Sequence, residues 1–130
     1  MKKNLTAVYV LTPEGRAIAG YYTLSAYSVR LDQIPEEIAK KLTRMREVPA
    51  TLLGRLARSS AFQGQRIGEL LLLDALKRSL ANSKLVASWT VIVDAKDSNA
   101  AAFYKKYGFV ELPAAPNRLF LPMQTIAVLP

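Results

Sequence analysis

Alternation of hydrophobic and polar positions divides the first third of the 130-residue chain into two strands and a short helix. The first strand spans 8–12, and the second spans 18–29, where tyrosine, threonine and valine favour β-structure. The turn sequence Pro13-Glu14-Gly15 separates them, which predicts a hairpin. A helical stretch then runs over 35–45 and begins with a proline, a residue favoured in the first turn of a helix.

The middle of the chain predicts a strand, a long helix and a second strand. The third strand spans 50–57, and Gly54 within it indicates a β-bulge. Apolar residues recur at helical spacing over 67–80, and basic residues occupy the last turns, as the helix dipole favours. The run 85–95 is almost continuously apolar and rich in β-branched residues, so it predicts a central strand buried on both faces.

The last third of the chain predicts one more helix and two strands. The helix begins at Asp97 or Ser98, both suitable N-cap residues, and extends to Tyr107, with Gly108 as its C′ residue. The strands that complete the chain span 109–112 and 119–128. The order β-β-α-β-α-β-α-β-β predicts a single mixed α/β domain over the whole chain.

The composition excludes several kinds of chemistry. Because the chain has no cysteine and no histidine, it lacks a thiol nucleophile, the usual general base and the usual metal ligands. Ser-His-Asp triads and histidine-based zinc sites are thereby excluded, and no metal is expected. No apolar run is long enough to cross a bilayer, and the N-terminus does not resemble a secretory signal, so we expect a cytoplasmic protein without a membrane partner.

The net charge of +8 is unevenly distributed along the chain. From Lys40 to Arg66, seven basic side chains stand against one acid, Glu47. Such a segment forms either an ordinary solvated surface or a surface that attracts the phosphates of a cofactor or a nucleic acid. The charge pattern alone leaves both interpretations open.

A glycine-containing loop joins the third strand to the long helix and has the features of an anion site. Its sequence is Gln63-Gly64-Gln65-Arg66-Ile67-Gly68. Backbone N–H groups in such a turn, with the positive end of the helix behind them, bind anions. The glycines allow close approach of a ligand, and an arginine is a donor suited to phosphate. For the loop taken alone, a plain tight turn is the alternative.

A second signature follows about thirty residues later, in the segment Asn99-Ala100-Ala101-Ala102-Phe103-Tyr104-Lys105-Lys106-Tyr107-Gly108-Phe109. The two segments together resemble the GNAT acetyltransferases, whose acyl-CoA loop has the pattern Gln/Arg-x-x-Gly-x-Gly/Ala and whose following helix ends in Phe-Tyr-x-x-x-Gly-Phe. The resemblance is specific over 50–109 and looser over 8–123. It implies a single GNAT-type domain with a mixed, mostly antiparallel sheet flanked by helices.

The resemblance also implies acetyl-CoA as cosubstrate and a direct transfer of acetyl to an amine. The residues expected to bind the pantetheine arm and the pyrophosphate are Leu56, Ala57, Arg58, Gln63, Gly64, Gln65, Arg66, Ile67, Gly68 and Asn99. Arg66 departs from the family pattern, in which glycine is usual at this position. If the position requires a positive φ, the arginine is strained there.

The resemblance further implies Tyr104 as the catalytic residue, the general acid that protonates the departing thiolate. The amine must arrive neutral, since the chain has no histidine to act as base. The acids nearest the expected cleft have no sequence partner that marks them as a base; they are Glu47, Glu69 and Asp94. A packed aromatic role for Tyr104 and a helix-supporting role for Asn99 are the alternatives.

Within the superfamily the chain is similar to compact toxin-type members, which acetylate the α-amine of aminoacyl-tRNA and pair with an antitoxin. Those members begin with a strand and two helices, whereas the hairpin here starts by Val8, so we expect an N-terminally shortened domain. Uncovered apolar surface then predicts a homodimer or a partner chain. Three hypotheses stay open: acetylation of tRNA, acetylation of a small amine or protein N-terminus, and a non-catalytic acyl-CoA-binding remnant.

Overall fold

The computed structural model describes residues 6–12, 15, 17–42, 46–62, 64–113 and 115–129. Within them lie six strands: β1 (Thr6–Leu11), β2 (Gly20–Arg30), β3 (Glu47–Arg58), β4 (Thr90–Asp94), β5 (Val110–Leu112) and β6 (Ala115–Pro122). The same residues form four α-helices: α1 (Glu36–Ala39), α2 (Ile67–Val86), α3 (Ser98–Lys106) and α4 (Met123–Ile126). None of these helices combines the length and the hydropathy that a membrane span requires.

The six strands form one mixed sheet in the order β1-β2-β3-β4-β6-β5. The pair β3–β4 is parallel, because α2 provides the crossover between them, and the other four pairs are antiparallel. The hairpin of β1 and β2 is confirmed, with Leu11 opposite Gly20. The predicted mixed, mostly antiparallel sheet flanked by helices is therefore confirmed.

A β-bulge interrupts the pairing of β2 with β3, where Gly54 predicted one. Tyr22 lies opposite Leu56, but Leu24 lies opposite Leu53, so β3 carries one extra residue across this step. The Arg55 N–H donates to Thr23 Oγ1 at 2.9 Å, which satisfies a backbone donor that the bulge takes out of the ladder. Bulges bend a strand and increase its twist. This bulge redirects the second half of β3.

The two parallel strands separate immediately beyond the bulge. β3 pairs with β4 from Ala50 to Leu53, and beyond that point it stays paired with β2 as far as Arg58. β4 ends at Asp94, which pairs with β6. The sheet thus opens between the second half of β3 and the end of β4, at the carboxyl ends of the only parallel pair among the described strands.

The core has two parts, one on each face of the sheet. On one face, buried leucines of α2 pack with residues of β2, β4 and β6, and α3 completes this cluster. On the other face, the segment 31–42 covers a smaller cluster that includes Val29, Val48, Ile92 and Phe120. The middle residues of β4 are buried on both faces, as the sequence predicted for a central strand.

Two predicted strands were partly wrong. The run 85–95 is helical at its start, because α2 continues to Val86, and β4 begins at Thr90. The run 119–128 is a strand only to Pro122, which caps the short helix α4. Short apolar runs do not distinguish a strand from a buried helix by periodicity. In α4, Met123 and Ile126 are buried in the core.

The helical stretch predicted over 35–45 is shorter in the structure. It comprises α1, capped by Pro35, and a single 3-10 turn over Lys40–Leu42. The last three residues of the predicted stretch, 43–45, lie outside the described residues.

Candidate active site

A cleft of about 260 Å³ occupies the opening between β3 and β4. Its walls are the bulged end of β3, the residues that follow β4, and the face of α3 turned toward them. The lining residues are Tyr21, Gly54, Arg55, Leu56, Ala57, Asp94, Lys96, Ala100 and Tyr104. The cleft contains three of the residues that the sequence predicted for a site: Leu56, Ala57 and Tyr104.

Tyr104 is fixed by the packing of α3 while its side chain lines the cleft. Asp97 caps the helix, since its Oδ1 accepts the Ala100 N–H at 2.8 Å, as the sequence predicted. The Tyr104 ring contacts Phe103 and Phe109 edge-on, each with a centroid separation of 5.4 Å. Burial raises the pKa of the phenol above its usual value of 10.0, so it stays protonated at neutral pH.

The loop before α2 presents free backbone donors at the start of that helix. The first intrahelical bond is donated by the Leu70 N–H to the Arg66 carbonyl at 3.1 Å. The N–H groups of Ile67, Gly68 and Glu69 therefore precede the hydrogen-bonded helix, as in an anion-binding N-terminus. Gly64 and Gln65 are exposed beside them, but the Gln65 N–H, predicted as a phosphate donor, already donates to the Phe62 carbonyl at 3.3 Å. Gln63 lies outside the described residues.

Arg66 adopts a left-handed backbone conformation, with φ 57° and ψ 32°. A residue other than glycine is strained in this region. Arg66, which stands where the family usually has glycine, therefore carries that backbone strain. The side chain is 79% exposed, and its guanidinium lies 3.9 Å from the Glu69 carboxylate. Arg66 is therefore a strained but accessible cation at the end of the loop.

The start of α2 lies against α3 and is joined to it by a hydrogen bond. A Cβ placed on Gly68 would lie 3.8 Å from Phe103 Cζ, so this glycine faces α3. One turn along, the Tyr107 hydroxyl donates to the Glu69 carboxylate. That bond lowers the pKa of Glu69 and raises the pKa of Tyr107. The start of α2, with its backbone donors, is thus linked to the helix that carries Tyr104.

The two remaining predicted residues, Arg58 and Asn99, lie outside the lining of the cleft. Arg58 is exposed at the end of β3, opposite Gly20. Asn99 is exposed in the first turn of α3. Both lie on elements that form the cleft, and neither is among the residues that line it.

Sequence reasoning missed a paired carboxylate at the cleft. Arg118 donates from Nε to Asp94 Oδ1 at 2.6 Å and from Nη2 to Oδ2 at 2.8 Å, and it also donates to the Tyr27 hydroxyl. The bond to Asp94 is the main cause that raises the pKa of Arg118. Asp94 thus has a cationic partner, Arg118, that the sequence analysis did not identify. No local signal links positions 24 residues apart; only the register of β4 with β6 does.

The family model for the acetyltransferase (GNAT) domain matches residues 5–111, which include β3, the loop, α2, the cleft and α3. The chain belongs to the GNAT acetyltransferases. Among curated GNAT relatives, the probable toxin TacT of Sinorhizobium fredii is 30% identical over 96% of this chain and 74% of its own length. A tRNA-acetylating toxin of Mycobacterium tuberculosis is 31% identical over 89% of this chain and 68% of its own length.

Solved structures of GNAT toxins have the same fold. AtaT complexed with acetyl-methionyl-tRNAfMet superposes with a TM-score of 0.83 and 32% identity, over 93% of this chain and 73% of that one. An AtaT mutant toxin bound to the C-terminus of the antitoxin AtaR and acetyl-CoA superposes with a TM-score of 0.75 and 29% identity, over 93% of this chain and 69% of that one. The GNAT chain described here thus spans roughly two thirds to three quarters of these relatives.

Proposed function

We propose that this protein transfers the acetyl group of acetyl-CoA to a primary amine, and that the amine is the α-amino group of an aminoacyl-tRNA. The observation that carries the proposal is the cleft at the separation of β3 and β4, with Tyr104 in its wall. Ile67, the first residue of α2, lies close to Gly20, which pairs with Arg58 at the end of β3. The relatives that acetylate tRNA or bind acetyl-CoA support it.

The start of α2 fits the pyrophosphate of CoA. Three successive amides, from Ile67 to Glu69, are free of intrahelical partners, and the positive end of a 20-residue helix lies behind them. The exposed guanidinium of Arg66 adds a charged donor beside these amides. Gly64 extends this set on the loop, and Gln63 is proposed with it from the sequence pattern.

The second half of β3 fits the pantetheine arm. Leu56, Ala57 and Arg58 pair with β2 along one edge, and the opposite edge of the strand faces the opening left by β4. A pantetheine amide that hydrogen-bonds to this edge would extend the sheet as an additional strand does. Asn99, exposed in the first turn of α3 outside the lining of the cleft, is proposed as a further contact.

Tyr104 is proposed as the general acid. When the amine nitrogen bonds to the acetyl carbon, the carbon–sulfur bond breaks and the sulfur leaves as a thiolate. A protonated phenol in the wall of the cleft can supply the proton that this thiolate takes up. Because burial raises the pKa of Tyr104, the phenol is protonated at neutral pH and able to donate. Holding both reactants in one cleft supplies most of the remaining acceleration.

A tRNA acceptor accords with the charge of the protein. The net charge is +8, and Arg55, Arg58 and Arg66 follow one another along the end of β3 and the loop, beside the proposed CoA site. Exposed cations attract the phosphates of a nucleic acid and guide its approach. An antitoxin is proposed as the protein partner, by analogy with the AtaT–AtaR complex, and the cytoplasm as the location.

One experiment tests the proposal and separates the other hypotheses. Acetyl-CoA is titrated calorimetrically into the protein, and labelled acetyl transfer is then measured with aminoacyl-tRNA, free amino acids and N-terminal peptides. We expect binding and preferential transfer to aminoacyl-tRNA. Transfer to small amines or peptides alone would identify a different acceptor. Binding without any transfer would indicate a non-catalytic acyl-CoA-binding protein, and no binding by folded protein would refute the proposal.

A further inference from the structure

A carboxylate held by an arginine lies at the mouth of the cleft opposite α2 and α3. Asp94 lines the cleft, and the Arg118 guanidinium binds both of its oxygens, at 2.6 Å and 2.8 Å. The Arg118 side chain is only 23% exposed and stacks over the Tyr27 ring at 4.9 Å, whereas Asp94 is 53% exposed. The arginine is thus fixed, and the carboxylate keeps accessible lone pairs toward the cleft.

Asp94 and Tyr104 approach the cleft from opposite faces of the sheet. Along β4, Asp94 alternates with Val93 and shares the side of Ile92, which packs in the cluster away from α2. Tyr104 packs with the cluster that contains α2 and α3. The opening between β3 and β4 therefore connects a face that carries the proposed CoA site with a face that carries Asp94.

Asp94 is also the one carboxylate among the described residues that line the cleft. The two other charged side chains there, Arg55 and Lys96, are cations, which suit phosphate and repel an ammonium group. Among the described lining residues, Asp94 is therefore the one anionic group that an amine in this cleft can contact. That group lies on the face that the proposed CoA site leaves free.

The geometry points to Asp94 as the residue that receives the acceptor amine, and to Arg118 as the residue that positions Asp94; this inference rests on the proposed acetyl transfer. An amine N–H donates to the carboxylate, which turns the nitrogen lone pair toward the acetyl carbon. As the C–N bond forms and the C–S bond breaks, the surplus proton on nitrogen passes to solvent at the half-exposed carboxylate, and the proton of Tyr104 goes to sulfur.

The paired arginine determines what kind of amine this carboxylate favours. An α-amino group has a pKa of about 8, so both its protonated and its neutral forms are present near neutral pH. An isolated carboxylate would hold the ammonium form, which cannot attack. The Arg118 charge offsets that preference, while the second lone pairs of the carboxylate oxygens still accept hydrogen bonds. The pair therefore suits an amine that must react in its neutral form.

The test compares binding of an aminoacyl-tRNA with binding of its desamino counterpart, which carries the same acyl chain without the amine, in the presence of CoA. We expect the wild type to bind the aminoacyl form about 10- to 100-fold more tightly, as for a hydrogen bond to a charged group. Asp94→Asn should abolish most of this preference and raise the acceptor KM to the same extent, with unchanged affinity for CoA. Equal binding of the two tRNAs by the wild type would overturn the inference.

Two further variants distinguish positioning from general structural damage. Arg118→Gln should raise the acceptor KM as Asp94→Asn does, and the double variant should be no worse than either, because the two side chains act as a unit. Asp32→Asn, which breaks the exposed Arg30–Asp32 pair, is the matched control. It should change neither the preference for the aminoacyl form nor the acceptor KM. Additive losses in the double variant would contradict the inference. A preference for the aminoacyl form without any acetyl transfer would instead refute only the proposed function.

Discussion

The Thr23 hydroxyl accepts a hydrogen bond from the Arg55 N–H at 2.9 Å, inside the bulge at which β3 departs from β4. The last residue pair of the parallel ladder, Leu53 with Val93, lies just before this bulge, and the cleft opens just after it. One side chain of a neighbouring strand thus satisfies the donor that the bulge removes from the ladder. The shape of the proposed active site depends on this contact.

Gly54→Ala should destabilise the protein and weaken acetyl-CoA binding together. A Cβ at this position would lie 2.8 Å from Thr23 Oγ1, so the bulge has to shift. We expect a loss of about 1–3 kcal/mol in the free energy of unfolding, typical of overpacking. Chemical denaturation and calorimetry measure the two effects. Gly68→Ala is the control for stability, since its Cβ would meet only Phe103 at 3.8 Å. A stable Gly54→Ala variant with wild-type affinity would show that the bulge does not shape the cleft.

Arg66→Gly should raise stability and lower affinity for acetyl-CoA. Glycine removes the cost of a left-handed residue, about 1–2 kcal/mol, because the φ of 57° is unfavourable for a side chain. It also removes the exposed guanidinium proposed to contact pyrophosphate. Thermal unfolding and calorimetry separate the two effects. Tighter binding by the glycine variant would mean that Arg66 impairs the loop and makes no contribution to binding the phosphates.

Tyr104→Phe should lower the rate of acetyl transfer by about 10²- to 10⁴-fold, the usual contribution of a general acid. Folding and CoA affinity should change little, because the ring keeps its contacts with Phe103 and Phe109. Tyr21→Phe, in the wall of the same cleft, is the matched control and should retain activity.

Burial raises the pKa of Tyr104, so kcat of the wild type should not decline until the pH exceeds about 10. Full activity of the Tyr104 variant would leave this tyrosine a structural role only.

Tyr22 makes the stability of the protein sensitive to alkaline pH. Its ring is buried, its hydroxyl donates to Asp74, and it accepts from Arg78 Nε at 3.0 Å. Burial and the bond to Asp74 raise the pKa of Tyr22 to about 12. The unfolded chain loses this proton near pH 10, so the stabilisation is complete below pH 10 and is lost as the pH rises through about 12.

Tyr22→Phe should therefore be less stable at pH 7, by about 1 kcal/mol for a lost hydrogen bond. Between pH 10 and 12 its stability should fall less steeply than that of the wild type. Urea denaturation across this range measures both effects, and Tyr21→Phe should keep the wild-type slope. Parallel slopes for wild type and Tyr22→Phe would show that another group governs the alkaline transition.

The hairpin offers an apolar surface for association. β1 is an edge strand of the sheet, and Val8 and Val10 on it are 60% and 55% exposed. Unpaired strand edges with apolar side chains favour pairing with another chain. We expect a dimer at micromolar concentration by light scattering, and a shift to monomer for Val8→Lys. Lys77→Ala, on an exposed position of α2, should leave the dimer intact. A monomeric wild type would contradict this expectation.

The sequence by itself determined the family and the residues at which α2 and α3 begin. These features depend on local properties: helical spacing of leucines, an Asp97 cap, a glycine after α3, and the pattern from Gln63 to Gly68. The sequence also identified Arg66 as the position that would be strained if the loop requires a positive φ, and the structure has that φ at Arg66. A local signal predicts local structure well because the interactions that fix it lie within a few residues.

Only the tertiary structure decided where the strands end and which side chains meet in the cleft. α2 continues to Val86 through residues that the sequence analysis assigned to a strand, because a short apolar run has no periodicity that distinguishes a strand from a helix. Asp94 meets Arg118 through the register of β4 with β6, and Thr23 meets Arg55 through the bulge. Such contacts join residues 24 and 32 positions apart. They depend on pairing across the whole sheet, which no local sequence pattern encodes.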